Sequence, residues 1–256
     1  MEHIYIYILI GFLGGITAGM LGLGGGIIFV PGLMIIHKYY GLFSGYELQV
    51  AVYTSLISII FAGSTSSILH YKNRLIDMSV VKKYSIYVIL GSFFGIYILE
   101  HVSSELLELV YSVILIILAL LLISDAKIIR NNINYLSKAG NLYFFANGSI
   151  SSLMGIGGGT LSVPYLSFLI ADIKRSIASA SAIGLIIAVS SLLYMFVLNP
   201  SIYSEKINHI GLFILIPSGI LGSYTGVYLL RILNPEKVKN IFSTLLLVVA
   251  VYLLFD

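Results

Sequence analysis

The chain has 256 residues and a net charge of +3, with 59% hydrophobic and 10% charged residues, whereas an average soluble domain has about 25% charged residues. Because a mean hydropathy of +1.03 extends over the whole length, the composition predicts a polytopic membrane protein. It excludes a soluble enzyme with one anchor and a secreted domain behind a signal peptide. The sequence contains no cysteine, which excludes disulfides, thiolate metal sites and iron–sulfur clusters.

Charged residues divide the chain into eight apolar windows. A helix that crosses the hydrocarbon core needs about 20 residues, so six of the windows predict one transmembrane helix each. The first and fifth windows contain 33 residues each, too many for one straight helix in a core of about 30 Å. Both contain glycines and a proline at the same internal place, so we predict a broken helix in each. The windows are 4–36, 48–71, 84–99, 109–124, 139–171, 176–204, 207–230 and 240–255.

The broken windows carry copies of one motif. GMLGLGGGIIFVPGL at 19–33 and SLMGIGGGTLSVPYL at 152–166 share seven of fifteen positions at a constant offset of 133 residues. A second pair, ILGSFFGIYIL at 89–99 and ILGSYTGVYLL at 220–230, shares seven of eleven positions at an offset of 131. The chain is therefore predicted to be an internal duplication. Its predicted parts are a first transmembrane repeat at 1–124, a cytoplasmic linker at 125–138 and a second transmembrane repeat at 139–256.

The positions of lysine and arginine predict the topology. We take the basic loop 72–83 as cytoplasmic, because cytoplasmic loops are enriched in these residues. If every window crosses the membrane, eight of the 14 basic residues lie inside, whereas twelve lie inside if windows one and five turn back as re-entrant hairpins. The hairpins are therefore favoured, with both termini outside. The predicted fold is an all-α polytopic membrane protein of two inverted repeats, each a broken re-entrant hairpin plus three transmembrane helices, as in many secondary transporters.

The paired G-x-G-G-G-x-x-x-V-P-x-L motifs, one in each half of an eight-segment chain, resemble those of the TauE/SafE sulfite exporter family. The resemblance covers nearly the whole chain, including the loop from Tyr71 to Asp77, which is similar to that family's basic loop ending in Ile-Asp. It implies a transporter in the cell membrane for small sulfur-containing anions or related carboxylates. Single members differ in substrate, so the resemblance leaves the transported anion open.

Six glycines are the first candidates for the substrate site. A backbone without Cβ can come within hydrogen-bond distance of a ligand, and the half-helix that follows presents free N–H groups and its positive dipole end to an anion. The alternative is that these glycines only permit close helix packing. Pro31 and Pro164 interrupt the backbone hydrogen bonds and are predicted as structural hinges. The glycines are Gly24, Gly25, Gly26, Gly157, Gly158 and Gly159.

Four hydroxyl side chains are the second set of candidates for substrate binding. They could donate hydrogen bonds to sulfonate oxygens without carrying a charge, or they could bond to carbonyls of their own helices. Thr54 is matched with Ser181 at an offset of 127 residues. The set is Thr54, Ser58, Ser179 and Ser181.

The remaining small and ionisable residues are given other roles. No acid or base lies in the interior of a window, so the sequence contains no evident proton relay. His70 and His101, near segment ends, are predicted as interfacial residues. Arg175 is the best candidate for drawing anions to the cytoplasmic face, with a plain topology signal as the alternative. Two G-x-x-x-G pairs predict close helix contacts: Gly91 with Gly95, and Gly222 with Gly226.

Three classes of function are compared. The first is a secondary transporter that moves sulfite or an organosulfonate by alternating access, with the substrate between the broken helices and without a cofactor or metal. An intramembrane enzyme is disfavoured, because Ser149 has no base at depth and the windows contain no pair of carboxylates. The third class is a non-transporting scaffold or assembly subunit, which an anion-binding screen would separate from a transporter. The expected partners are the anion and the lipid bilayer, with no nucleic acid, and homo-oligomer formation is left open.

Overall fold

The computed structural model describes residues 3–123, 133–170, 172–198 and 207–232, together with Thr244 and Leu247. Within these residues the secondary structure is α-helical, without β-strands, which confirms the predicted all-α class. Linker residues 125–132, and the last apolar window apart from Thr244 and Leu247, lie outside the described residues.

The described residues form nine helices. In chain order they are α1 His3–Leu21, α2 Gly26–Tyr39, α3 Glu47–Lys72, α4 Met78–His101, α5 Ser104–Ile123, α6 Ile133–Met154, α7 Gly159–Leu169, α8 Ile173–Leu198 and α9 His209–Ile232. Five of them, α1, α3, α4, α8 and α9, are long and apolar enough to cross a membrane. The longest, α3 and α8, contain 26 residues each, about 39 Å of helix at 1.5 Å per residue. By contrast, α2 and α7 contain 14 and 11 residues.

The first broken window is a helical hairpin. Gly14 of α1 packs against the ring of Phe29 in α2, and Ile10, one turn earlier, packs against Gly32 further along α2. The two arms therefore run antiparallel, with the break at residues 22–25 between them. This arrangement confirms the predicted broken helix.

The fifth window folds in the same way. Asn147 of α6 bonds to Ser162 of α7, and Tyr143, one turn earlier in α6, stacks on Tyr165 further along α7. The arms α6 and α7 are therefore antiparallel as well, with the break at residues 155–158. The two long windows share one hairpin architecture.

Both prolines lie inside helices and not at the breaks. Pro31 is the sixth residue of α2, and Pro164 is the sixth residue of α7. The chain turns at the glycines that precede each helix, more than one helical turn before the proline. The role of the two prolines as hinges stays a prediction.

The first arm of each hairpin packs on a long helix from the other half of the chain. The α1 helix runs parallel to α9, because Gly11 lies beside Ser218 and Gly19 beside Val227. The α6 helix runs parallel to α4 and uses the same kind of small-residue contact. The two helix pairs, α1 with α9 and α6 with α4, are therefore equivalent in the two halves of the chain.

The predicted packing role of the G-x-x-x-G glycines is confirmed. A Cβ atom at any of the four would overlap a backbone carbonyl oxygen of the partner helix. Helices approach each other this closely where the residue between them has no side chain. The contacts join Gly91 and Gly95 to Phe145 and Ser149, and Gly222 and Gly226 to Phe12 and Ile16.

The central helices α3 and α8 run in opposite directions. Near the end of α3, the Ser66 hydroxyl lies 3.1 Å from that of Ser181, near the start of α8. At the other end, Thr54, near the start of α3, bonds to Asn208, beyond the end of α8. Two helices that hold matching places in the two repeats therefore point in opposite directions.

Contacts between loops show which of them share an end of the bundle. Arg231, at the end of α9, donates a hydrogen bond of 2.7 Å to Asn73 Oδ1 after α3. Arg175, at the start of α8, lies 3.4 Å from the carboxylate of Asp77, which precedes α4. These basic segments therefore lie at one end, which we call the basic end. An arrangement in which every window crosses would separate Arg175 and Arg231 from the loop after α3.

Candidate anion site at the helix breaks

The two breaks have the same backbone conformation. Three glycines in each have φ between 64° and 85°, a region that residues with a Cβ atom rarely adopt. The motif therefore requires glycine at these places in both halves. The residues are Gly22, Gly24 and Gly25 in the first break and Gly155, Gly157 and Gly158 in the second.

The two breaks touch each other at the centre of the bundle. A Cβ atom at Gly24 would lie 3.0 Å from the Cα of Gly157, and one at Gly157 would lie 3.3 Å from Ile59, halfway along α3. A Cβ at Gly26 would overlap a carbonyl oxygen of the second break, and one at Gly159 a carbonyl oxygen of the first. The structure thus brings the two predicted glycine triplets together. In this conformation they pack backbone against backbone, and anion binding by them stays a prediction that requires the breaks to move apart.

Thr54 and Ser179 contact the starts of two long helices. The N–H of Asn208, directly before α9, donates to Thr54 Oγ1 over 3.2 Å, and the N–H of Asp77, directly before α4, donates to Ser179 Oγ over 2.9 Å. These contacts are equivalent in the two repeats, so Thr54 corresponds to Ser179, and its match with Ser181 was wrong. The spacing between matched residues is 133 at the breaks and 125 here, because the connecting segments differ in length.

The other two predicted hydroxyls also bond to protein atoms. Ser58 Oγ donates to the carbonyl of Thr54 over 2.9 Å, which is the intrahelical alternative. The hydroxyls of Ser181 and Ser66 form a hydrogen bond with each other over 3.1 Å. The four hydroxyls do not converge on one point, since Thr54 lies toward one end of the bundle and Ser179 toward the other. Their binding to a substrate stays a prediction.

A buried polar cluster that the sequence interpretation did not include borders the second break. Ser151 Oγ donates to Asn147 Oδ1 over 2.8 Å, and Asn147 Nδ2 donates to Ser162 Oγ over 2.7 Å. A Cβ atom at Gly158 would lie 3.4 Å from Ser151 Oγ and 3.5 Å from Asn147 Oδ1. All three polar side chains are buried. An asparagine in an apolar window was the available signal, because a buried amide needs hydrogen-bond partners.

Thr160, the second residue of α7, adds a further polar group at the second break. Its side chain is 3% exposed, and no atom in the described part of the chain forms a hydrogen bond with its Oγ1. Leaving a buried hydroxyl without a partner costs about 1–3 kcal/mol. A group of this kind in a native structure requires a specific explanation.

The first break is apolar at the positions that match the polar cluster and Thr160, although the Ser181 hydroxyl would lie 3.2 Å from a Cβ atom at Gly22. At the offset of 133 residues, its matching positions are Gly14, Ala18, Ile27 and Phe29. The Phe29 ring packs against Gly14, and a Cβ atom at Gly25 would lie 2.9 Å from that ring. An aromatic side chain therefore fills the place that the polar cluster occupies in the second break. The two breaks share a backbone and differ in their side chains.

His70 lies in the last turn of α3 and is covered by protein, so its predicted place at the membrane interface stays a prediction. Its side chain is fully buried, and Nε2 lies 3.2 Å from the carbonyl oxygen of Gly19, so Nε2 carries the proton and donates. Nδ1 has no partner among the described residues. The histidine is covered because the last turn of α1 packs over the end of α3. His101 is exposed and stacks on Tyr97, as expected of an interfacial residue.

Arg175 is part of a polar cap at the basic end of the bundle. The Asp77 side chain caps α4 by accepting from the N–H groups of Ser79 and Val80. The hydrogen bond from the Ser79 hydroxyl is the main reason that the Asp77 carboxyl has a pKa below its ordinary value, and the charge of Arg175 contributes less. Because Asp77 neutralises part of its charge, the attraction of anions by Arg175 stays a prediction.

Broken hairpins that meet inside a bundle of long apolar helices are typical of secondary membrane transporters. The family whose model matches the sequence is described as sulfite exporter TauE/SafE, and the match covers residues 7–253. The chain therefore belongs to the sulfite exporter TauE/SafE family, and it is a membrane transporter.

Curated relatives of the chain are themselves described as probable membrane transporters. The probable membrane transporter protein YunE of Bacillus subtilis is 27% identical over 98% of this chain and 97% of its own length. A probable membrane transporter protein of Methanocaldococcus jannaschii is 26% identical over 97% of this chain and 94% of its own length. One from Haemophilus influenzae is 25% identical over 98% of this chain and 95% of its own length. No solved structure matches the chain.

Proposed function

We propose that the protein transports small sulfur oxyanions, sulfite or organosulfonates, across the cell membrane by alternating access. The observation that carries the proposal is the contact between the two glycine breaks, at which each half of the chain supplies the start of a short helix. The description of the family names sulfite export, which supports sulfite as the first substrate to test.

The same backbone arrangement supports anion recognition without a charged side chain. The first N–H groups of a helix have no partner within it, and α2 and α7 both begin at a break. Each helix start favours an anion by about 0.3–1 kcal/mol when exposed and by up to about 2 kcal/mol when partly buried. The two broken windows contain no lysine or arginine, so neutral groups supply the binding.

We infer that the two halves are inverted repeats relative to the bilayer. The opposite directions of α3 and α8 and the antiparallel arms of both hairpins support this topology. The positive-inside bias then places the basic end of the bundle in the cytoplasm and both termini outside. In the cysteine-free chain, a single cysteine at Ser44 should be labelled from outside and one at Asn73 only from the cytoplasm; the reverse pattern would contradict the orientation.

An open basic depression on the protein surface supports the approach of anions from the cytoplasm. It has a volume of about 420 Å³ and opens at the end of α3. Two positive charges in its wall would raise the local concentration of anions. Its lining residues are Tyr71, Lys72, Arg74 and Ile76.

The transport step requires the breaks to separate. In the described conformation the breaks are in backbone contact, and we assign it to the closed state between the two open ones. One hairpin then moves away from the other hairpin and opens a path to one side of the membrane. The opposite side stays closed during this movement. The contact between the breaks consists of glycine backbone, so no large side chains have to disengage.

An anion screen tests the proposal. Purified protein is heated with sulfite, sulfate, taurine, a simple carboxylate or a matched amine, and the unfolding temperature is recorded. Ligands that bind the folded state raise this temperature by mass action, so we expect sulfite or an organosulfonate to raise it. The proposal would be contradicted if only the amine raised the unfolding temperature, or if no sulfur oxyanion raised it.

A further inference from the structure

We propose that the second break alone holds the anion, through neutral hydrogen-bond donors of Asn147, Thr160 and Ser162 around the start of α7. The inference rests on the proposed transport of oxyanions and assigns its binding site. The first break has apolar side chains at the matching positions, and the hydroxyl nearest to it, Ser181, bonds to Ser66, which itself donates to the carbonyl of Ala18.

The polar cluster beside the second break has hydrogen-bond donors that its internal hydrogen bonds do not use. Asn147 uses one of its two amide hydrogens to bond to Ser162 Oγ, and its Oδ1 accepts from Ser151. Ser162 is the acceptor in that bond, so its own hydroxyl hydrogen is still available. No further side-chain hydrogen bond of Asn147 or Ser162 occurs within the described residues. Two neutral donors, one N–H of Asn147 and the hydroxyl of Ser162, therefore remain in the cluster.

Thr160 supplies the independent sign of a ligand. Helical side chains tilt toward the N-terminus of their helix, so the hydroxyl of this second residue of α7 is directed to the start of the helix. The side chain is 3% exposed, and nothing in the described part of the chain bonds to its Oγ1. An oxygen of a bound anion would provide the missing partner.

The placement of the donors indicates the class of ligand. Asn147 and Ser162 lie on the side of α7 that faces α6. Thr160 is two residues from both Gly158 and Ser162, about 200° around the helix axis. Donors on both sides of the helix end suit an ion with several oxygens, such as sulfite or a sulfonate group. The Cα atoms of a helix lie on a cylinder about 4.6 Å wide, so a single-atom halide ion at the helix end can contact the donors on only one side.

Matched substitutions at the two breaks test the assignment. Thr160→Val removes the hydroxyl and keeps the shape of the side chain, and Ile27→Val makes a small change at the matching position of the first break. For each purified protein, the unfolding temperature is measured without ligand and across a range of sulfite and chloride concentrations. We expect Thr160→Val to raise the half-saturating sulfite concentration by about tenfold or more, because a hydrogen bond to a charged group is lost. Its unfolding temperature without sulfite should not fall, since the lost hydroxyl has no protein partner.

The outcomes separate this inference from the proposed function. An unchanged sulfite response in Thr160→Val, or an equal loss in Ile27→Val, would overturn the assignment and leave anion transport standing. A stronger response to chloride than to sulfite would also overturn it. A wild-type protein that responds to no sulfur oxyanion would remove the proposed function and the inference with it. If Thr160→Val does not yield folded protein, Ser162→Ala takes its place, with the same expected loss of sulfite affinity.

Discussion

The two helix breaks differ in the side chains around a common backbone. Both have three glycines with positive φ, and each lies in contact with the other. The first is packed by the ring of Phe29, whereas the second is bordered by an asparagine and three hydroxyl residues. The duplication has therefore kept the shape of the break in both halves, while the asparagine cluster and the Thr160 hydroxyl border the second break only. The shape serves the contact between the halves, and recognition of the anion by the polar groups is the proposal that the following substitutions test.

The largest expected effect comes from a substitution that obstructs the contact between the two breaks. In Gly159→Ala, the added methyl group would overlap the carbonyl oxygen of Gly22, and neither backbone can move easily. We expect the free energy of unfolding to fall by about 3 kcal/mol or more, because overpacking against backbone forces the chain to shift. Thermal unfolding and size-exclusion chromatography of the purified variant measure the effect.

Gly63→Ala is the control for this substitution. Gly63 lies inside α3, and a Cβ atom there would meet only Ile59, at an ordinary distance of 3.6 Å. Alanine is favoured over glycine in a helix by about 1 kcal/mol, so stability should be unchanged or higher. Equal losses in Gly63→Ala and Gly159→Ala would show that the contact between the breaks has no special role.

A second pair of substitutions compares the breaks directly. Alanine at either Gly25 or Gly158 must adopt positive φ, at a cost of about 1–2 kcal/mol. A Cβ at Gly25 also lies 2.6 Å from the backbone oxygen of Gly14, whereas one at Gly158 meets mainly the terminal methyl group of Ile187. We expect Gly25→Ala to lower the unfolding temperature more, and Gly158→Ala to weaken sulfite affinity more in the folded protein.

Relief of the side-chain contact sharpens this comparison. Adding Ile187→Val to Gly158→Ala removes the methyl group that the new Cβ meets, so part of the lost stability should return. No single side-chain truncation relieves the backbone contact at Gly25. If Gly25→Ala weakens sulfite affinity and Gly158→Ala leaves it unchanged, the functional assignment of the two breaks is inverted.

The smallest expected effect concerns the caps of α4 and α9, which are Asp77 in one half and Asn208 in the other. The pKa of Asp77 is lowered in the folded protein, so its contribution to stability is present above the ordinary pKa near 3.8 and is lost as pH falls through the lower folded value. Asp77→Asn keeps a cap without a titrating charge, and we expect a stability change of less than about 1 kcal/mol at pH 7.

Thermal unfolding between pH 7 and pH 3 measures this difference. The wild type should lose more stability on acidification than Asp77→Asn, whereas Asn208→Ser should follow the wild-type profile. An identical acid profile for wild type and Asp77→Asn would show that the charge of Asp77 does not stabilise the cap.

The sequence predicted those features that depend on local patterns. Apolar windows, the repeated glycine motif and the loop charges predicted the broken hairpins and the grouping of basic segments at one end. Features that depend on packing between distant segments were missed. The correspondence of Thr54 with Ser179 follows from the contacts of the helix starts, and the burial of His70 follows from the position of the last turn of α1. The cluster around Asn147 was missed because it forms only when α6 and α7 pack against each other as the arms of a hairpin.

Uptake of labelled sulfite into proteoliposomes tests the central claim most directly. The claim is that sulfur oxyanions cross the membrane through the polar second break. We predict saturable uptake by the wild type and by Ile27→Val, and uptake reduced by about tenfold at low sulfite concentration in Thr160→Val. Uptake no greater than in empty liposomes would contradict the transport of sulfite, and equal uptake by Thr160→Val and the wild type would contradict the role of the second break.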